Sequence, residues 1–193
     1  MKVYLIIMCL WLTMIELQAA EKNSNVLILD VSKAMQTKID GLAKFELLKS
    51  ALTGSIQFWP KGEKLSIVTY QPQGQNFRQR CQPEINISAS KRVLTKQQLT
   101  KRLHQLERSG NANTIYALQQ AKRQLRNQRG NIILTATDNN SCEKALLCEV
   151  AKYIKKNNPR IVIHAMDMQG NNEALRCVAS VTGGQYYPIQ NAL

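Results

Sequence analysis

Oxygen-bearing side chains follow the apolar stretches of this sequence. Asp30 and Ser32 come directly after one apolar run, and Thr137 and Asp138 come after a second. Thr114 opens a predicted helix between them. Carboxylate and hydroxyl oxygens are the ligands that Mg²⁺ takes in proteins, usually together with water. The same side chains also suit structural roles, because Ser32 can stabilise a loop and Thr114 and Asp138 can cap helices.

The elements that must position these oxygens alternate between strands and helices. The continuous apolar run 26–29 is typical of a strand buried on both faces of a sheet. Hydrophobic periodicity and breaker residues predict further strands at 65–70, 81–87, 131–136, 161–166 and 185–187. They predict helices at 39–58, 95–109, 111–130, 142–156 and 171–181.

This alternation predicts an α/β fold with three layers. Parallel neighbours need crossover connections, so a mainly parallel, Rossmann-like central sheet with helices on both faces is expected. The carboxyl ends of parallel strands meet at one edge, where open α/β sheets bind their ligands. The candidate oxygens should therefore meet there.

The first residues are typical of an export signal. Lys2 precedes an apolar run at 3–15, and small residues follow at 19–20. The pattern predicts a signal peptide at 1–20 and one domain at 21–193, exported to the periplasm or secreted. An uncleaved membrane anchor is the alternative, although the run is shorter than the about 20 residues of a comfortable span. No later stretch is apolar enough to predict a transmembrane segment in the mature chain.

Four cysteines remain after the leader. An even number in an exported chain predicts disulfides, and four cysteines allow three pairings. Cys142 and Cys148 are close in sequence and could close one loop, which would leave Cys81 to pair with Cys177. A metal site built from cysteines is less favoured, because no Cys-x-x-Cys pair is present.

The net charge of +13 favours anionic partners. The basic residues are spread over several predicted elements with few aromatic residues among them, which favours solvated helix faces and makes nucleic acid an unlikely partner. Catalysis has little support. His104 and His164 fall in a predicted helix and a predicted strand, and no nucleophile, base and orienting group can be assembled. We predict that the protein is not an enzyme.

Four segments, in order, resemble motifs of the von Willebrand factor type A domain, of the bacterial exported kind. Residues 30–35, DVSKAM, resemble the Asp-x-Ser-x-Ser loop of the family. Residues 110–121, GNANTIYALQQA, resemble its threonine-containing helix start. Residues 131–142 resemble its fourth strand and acidic loop, and 177–187, CVASVTGGQYY, its closing helix, glycine pair and strand. The resemblance covers nearly all of the chain after the leader.

The resemblance implies a metal-ion-dependent adhesion site, in which a carboxylate of a partner completes the coordination of Mg²⁺. Asp30, Ser32 and Thr114 match the ligands of the family, and Asp138 stands one residue after the position of its later aspartate. Two departures make the site degenerate. Ala34 replaces the second serine and has no side-chain oxygen, and Thr137 occupies the aspartate position. A basic protein with fewer carboxylates should bind a cation weakly.

The predicted function is an exported protein-interaction module that binds an acidic group on a protein partner, with or without bridging Mg²⁺. The predicted binding rim lies at the carboxyl ends of the strands and comprises Ser32, Lys33, Asn113, Thr114, Thr137 and Asp138. The alternative is a basic protein that binds anionic surfaces such as membrane headgroups, cell-wall polymer or nucleic acid, in which case binding would fall steeply with salt. The oligomeric state is not indicated by the sequence.

Overall fold

A computed structural model describes residues 24–60, 63–72, 83–84, 95–107, 114–126, 128–137 and 144–191. The predicted leader at 1–20 lies outside these ranges. The strands are β1 (Ser24–Asp30), β2 (Lys38–Ile39), β3 (Leu42–Ala43), β4 (Lys64–Pro72), β5 (Pro83–Glu84), β6 (Gly130–Ala136), β7 (Ile161–Asp167) and β8 (Tyr186–Pro188). The helices are α1 (Lys44–Gln57), α2 (Lys96–His104), α3 (Thr114–Gln124), α4 (Lys144–Asn157) and α5 (Glu173–Thr182). In this described part of the chain, no helix has the length and apolar character that crossing a bilayer requires.

The central sheet has six strands in the order β5-β4-β1-β6-β7-β8. All neighbours are parallel except β4 and β5, which are antiparallel. Strand β1 lies between β4 and β6, and all seven of its residues are buried. The predicted three-layer α/β fold with a mainly parallel sheet is therefore confirmed.

Each face of the sheet is covered by its own apolar core. One core packs Val26 and Ile28 of β1 against α3, α4 and α5. The other packs Leu27 and Leu29, the alternate residues of the same strand, against α1 and α2. Successive side chains of a strand point to opposite faces, so the continuous apolar run in β1 supplies both cores. This is why the strand contains no polar residue between Asn25 and Asp30.

The predicted helix at 39–58 begins later than expected, at Lys44. Residues 38–43 form the small hairpin of β2 and β3, in which Ile39 pairs with Leu42. Asp40 and Gly41 form its turn, with φ angles of 48° and 85°. Asp-Gly is a strong signal for such a two-residue turn, because both central residues need a positive φ. The helical spacing of the leucines downstream concealed that signal.

Two local features follow from the residue types at these positions. Thr95 caps α2, and its side chain accepts a hydrogen bond from the backbone N–H of Gln98 while the Gln98 side chain accepts one from the backbone N–H of Thr95. Pro83 lies in the edge strand β5. Edge strands tolerate proline, because one of their two sides forms no hydrogen bonds within the sheet. The described part of that strand, Pro83–Glu84, lies within the predicted strand 81–87.

The predicted disulfide pairing is wrong. Cys148 of α4 is bonded to Cys177 of α5, with their Cα atoms 5.6 Å apart. This excludes the pairs Cys142–Cys148 and Cys81–Cys177. The physical reason is that α4 and α5 pack side by side, which brings together two residues that are 29 apart in sequence. Cys81 and Cys142 lie outside the described residues.

Gly184 links α5 to β8 and has no space for a side chain. A Cβ atom there would lie 1.9 Å from the backbone oxygen of Ile163. Backbone cannot move aside cheaply, so we expect Gly184→Ala to destabilise the fold by about 3 kcal/mol or more. Gly54 provides a matched control, since it lies in α1 and a Cβ atom added to it would meet no atom within 4 Å. Gly54→Ala should stabilise the protein by roughly 0.5–1 kcal/mol. Chemical denaturation of both variants tests this, and equal stabilities would contradict the close approach of Gly184 to β7.

Candidate functional site at the carboxyl edge of the sheet

A crevice is expected where β1 and β6 end, because their chains leave toward opposite faces. The helix after β1 is α1, which packs on one core, and the helix after β6 is α4, which packs on the other. Such a reversal is where open α/β sheets bind ligands. The paired register of β1 and β6 ends at Ile28 and Leu134. Beyond it, the Thr135 hydroxyl accepts a hydrogen bond from the Asp30 N–H at 3.0 Å and donates one to the Ile28 oxygen at 3.0 Å.

The Asp30 carboxylate joins the loops that follow these two strands. Asp30 is 0% exposed. Its Oδ1 accepts a hydrogen bond from the Ser32 N–H at 2.8 Å. Its Oδ2 accepts two from Thr137, from the N–H at 2.9 Å and from Oγ1 at 2.8 Å. A buried carboxylate is costly unless it is hydrogen-bonded, and these three donors satisfy that need.

The other predicted site residues differ in exposure and in hydrogen bonding. Ser32 is 2% exposed, and its Oγ has no hydrogen-bond partner among the described residues. Lys33 is exposed in the short 3-10 turn Lys33–Gln36, which also holds Ala34. Thr114 is buried as the first residue of α3. The two remaining rim predictions, Asn113 and Asp138, lie outside the described residues.

A second buried carboxylate, which was not predicted from the sequence, lies at the same edge. Asp167 is the last residue of β7 and is 0% exposed. It accepts hydrogen bonds from the Gln169 N–H at 2.9 Å, the Asn172 N–H at 2.8 Å and the Tyr186 hydroxyl at 2.6 Å. The available signal was the repeated pattern of an apolar strand ending in aspartate, which Asp167 shares with Asp30.

The contacts of Asp167 give it a structural role. Burial raises the pKa of Tyr186 above its ordinary value, and the hydrogen bond to Asp167 raises that pKa further. Tyr186 is therefore a neutral donor at physiological pH. The guanidinium of Arg176 lies 4.6 Å from the centre of the Tyr186 ring. Together these contacts fasten the turn before α5 to β8.

The described residues contain no group of three or more His, Cys, Asp or Glu side chains that could hold a metal ion. The two histidines lie apart from the crevice residues described above. His164 is in β7, where its Nδ1 accepts a hydrogen bond from the Gln185 N–H at 3.3 Å, and partial burial lowers its pKa. His104 is exposed at the end of α2.

Comparisons with known proteins agree with this architecture. The chain is 24% identical over 181 residues to the uncharacterized protein YwmC of Bacillus subtilis (strain 168), covering 90% of this chain and 79% of YwmC. Its fold resembles that of the conserved hypothetical protein BatB from Bacteroides thetaiotaomicron, with a TM-score of 0.65 at 13% identity over 88% of this chain and 91% of BatB. It also resembles the SpRpn10 VWA domain, with a TM-score of 0.66 at 17% identity over 87% of this chain and 88% of that domain.

A structure of von Willebrand factor type A from Catenulispora acidiphila gives a TM-score of 0.68 at 18% identity, covering 90% of this chain and 40% of that one. At these identities the structural likenesses establish the fold alone. The family model described as von Willebrand factor type A domain matches residues 24–188, which is most of the sequence. The chain therefore belongs to the von Willebrand factor type A domain family.

Proposed function

We propose that this chain is an exported protein-interaction domain that binds its partner at the carboxyl-edge rim, which in the described residues comprises Ser32, Lys33, Thr114 and Thr137. The partner is a protein that presents an acidic group. Lys33 is exposed beside the crevice, and the chain carries a net charge of +13, so both local and overall charge favour such a group. Domains of this family commonly bind proteins.

The buried hydroxyl of Ser32 is the observation that carries this proposal. It lies at the edge where the fold brings its loops together, and it has no partner among the described residues. An unsatisfied buried hydroxyl costs free energy, about 1–3 kcal/mol. A ligand group that displaces the covering atoms and accepts its hydrogen bond would recover that cost on binding. A carboxylate oxygen is a strong acceptor for this purpose.

We infer that the described oxygens make an incomplete magnesium site. Asp30 has both carboxylate oxygens engaged by hydrogen-bond donors, and Ala34 supplies no oxygen. Mg²⁺ requires near-ideal octahedral geometry from oxygen ligands and gives up its waters reluctantly. Binding of Mg²⁺ by Asp30, Ser32, Thr114 and Asp138 stays a prediction from the family resemblance. The proposed rim binds without it.

Thr137 is the position at which the incompleteness of the magnesium site can be tested. Thr137→Asp places a second carboxylate against Asp30, so the two negative charges should repel and lower the Tm in EDTA. Millimolar MgCl₂ should restore much of that loss, because a ligand that binds only the folded state raises the Tm. We expect the wild-type protein to show little change between EDTA and MgCl₂ in the same differential scanning calorimetry experiment.

Thr137→Val is the matched control. It removes the hydroxyl that donates to Asp30 but adds no charge, which should cost about 1–3 kcal/mol. Its Tm should fall without any response to MgCl₂. A large magnesium-dependent rise in the wild-type Tm would contradict the incomplete site, and no response in Thr137→Asp would show that the crevice cannot place a cation between these residues.

Binding at the rim is tested by photo-crosslinking in cells that export the protein. A photoreactive residue at Lys33 should give a discrete crosslinked protein adduct, whereas one at the exposed Arg129, before the amino end of β6, should not. Ser32→Ala, combined with the crosslinker at Lys33, should reduce the yield of the adduct. That substitution removes no hydrogen bond of the hydroxyl among the described residues, so the Tm of the variant should stay the same or rise. Equal yields at Lys33 and Arg129, or an adduct indifferent to Ser32→Ala, would refute the rim as the binding surface.

Export is supported by the Cys148–Cys177 bond, because structural disulfides persist mainly in oxidising compartments. We expect the protein recovered from exporting cells to begin near Ala20 or Glu21. Cys148 and Cys177 should resist alkylation until a reductant is added. Intact mass and peptide mapping measure both. A chain that retains Met1 and has both cysteines alkylated without reductant would count against export.

A further inference from the structure

We propose that the groove between α3 and α4 is a second binding site, and that its ligand is an acidic, amphipathic segment of a protein partner. This α3–α4 groove has a volume of about 800 Å³. Its basic wall is formed by Lys122 and Arg123 at the end of α3 and by Arg126 just after it. Its apolar floor is formed by Ile115, Val150 and Ile154, and its lip by Leu146 and Tyr153.

The lip and floor expose apolar surface on a helix that already has a buried face. Leu147 and Ala151 pack into the core, whereas Leu146 and Tyr153 are 58% and 59% exposed. Leu146, Val150 and Tyr153 are spaced at i, i+4 and i+7, so they form one stripe along α4. Grooves of this kind bind helices through anchors at the same spacing.

The basic wall and the lip of the groove contact each other through a cation–π pair. The Lys122 ammonium lies 4.4 Å from the centre of the Tyr153 ring. A cation over an aromatic face is attracted by the ring electrons, so the ring is held in position at the lip. A fixed aromatic side chain loses little conformational entropy on binding, which favours its use as an anchor.

The charge of the groove indicates the charge of its ligand. Within the described part of the chain, no carboxylate forms an ion pair with Arg123 or Arg126. The one acidic residue among the lining residues, Glu149, is paired with Lys152 at 2.7 Å. The groove therefore presents net positive charge beside an apolar floor, and an acidic amphipathic segment complements both properties.

Neither the leader nor the stretch 73–94 is a segment of that kind. The stretch 73–94 has four basic residues and one acidic residue, and the leader at 1–23 has two of each. A second copy is disfavoured as well, because each copy carries a net charge of +13. A flat bilayer surface cannot fill a concave groove. The remaining candidate for the ligand is a segment of a different, acidic protein.

The test uses a fluorescein-labelled peptide that forms an amphipathic helix, with leucine at i, i+3, i+4 and i+7 and glutamate at the exposed positions. Fluorescence anisotropy with the full, oxidised protein should show saturable binding. A scrambled peptide of the same composition should bind at least about tenfold more weakly, because the apolar stripe is lost. A parallel assay with anionic phospholipid vesicles tests whether the groove binds a membrane surface instead.

Substitutions test whether the peptide binds in the α3–α4 groove. Tyr153→Ala should weaken peptide binding about tenfold, as expected for an aromatic anchor that becomes buried when the ligand binds. Arg126→Glu should weaken it by a similar factor. Lys101→Glu is the matched control, since it makes the same charge change at an exposed position of α2 on the opposite face of the sheet, and it should change the affinity less than about twofold.

Equal effects of Arg126→Glu and Lys101→Glu would overturn the proposal, because binding would then depend on net charge alone. Equal binding of the scrambled peptide would overturn it too. If the protein bound the vesicles but not the peptide, and Tyr153→Ala abolished vesicle binding, the ligand of the groove would be a membrane surface instead of a protein segment. None of these outcomes depends on the rim, and Ser32→Ala should leave peptide binding unchanged.

Discussion

The burial of the Asp30 carboxylate is the constraint on which the carboxyl edge of this fold depends. A charge removed from water is tolerated only when its oxygens are well hydrogen-bonded, and here the donors come from two different loops. Ser32 follows β1, and Thr137 follows β6. The carboxylate therefore fixes the relative positions of two loops whose strands have already separated. Asp167 repeats the arrangement at the end of β7, where Tyr186 and Asn172 provide donors.

The same donors change what the edge can do. A carboxylate that accepts three hydrogen bonds from its own protein is a structural anchor, and its negative charge is less available to a cation. The hydroxyl of Ser32 has the opposite character, since it is buried and has no partner among the described residues. The edge combines a satisfied acid with an unsatisfied hydroxyl. In the proposed function, the first holds the loops and the second meets the partner.

How far the sequence predicts this structure depends on whether a feature is local in the chain. The strands, the cap at Thr95 and the meeting of Asp30 with Thr137 follow from periodicity and from the rule that parallel strands end at one edge. Asp40-Gly41 also signals a hairpin turn, but the helical spacing of the apolar residues after it was the more prominent pattern. The pairing of Cys148 with Cys177 could not be predicted from the sequence, because it depends on how two helices pack.

The α3–α4 groove was hidden from the sequence for a similar reason. Lys122, Arg123 and Arg126 fit the solvated face of a helix, and periodicity alone cannot show that α4 lies beside that face. One helix thus serves two surfaces. Its first residue, Thr114, belongs to the rim, and its basic residues lie near its other end.

The central position of β1 also has a consequence for the order in which the molecule can form. Its first residue, Ser24, pairs with Lys64 on one side and with Gly130 on the other. The strand that is synthesised first must therefore wait for a partner that is synthesised much later. Contacts between residues far apart in sequence slow folding, because the intervening chain loses entropy before the contact forms. A chain of this protein cannot pair both edges of β1 until β6 has been synthesised, which leaves one edge of β1 unpaired in the meantime.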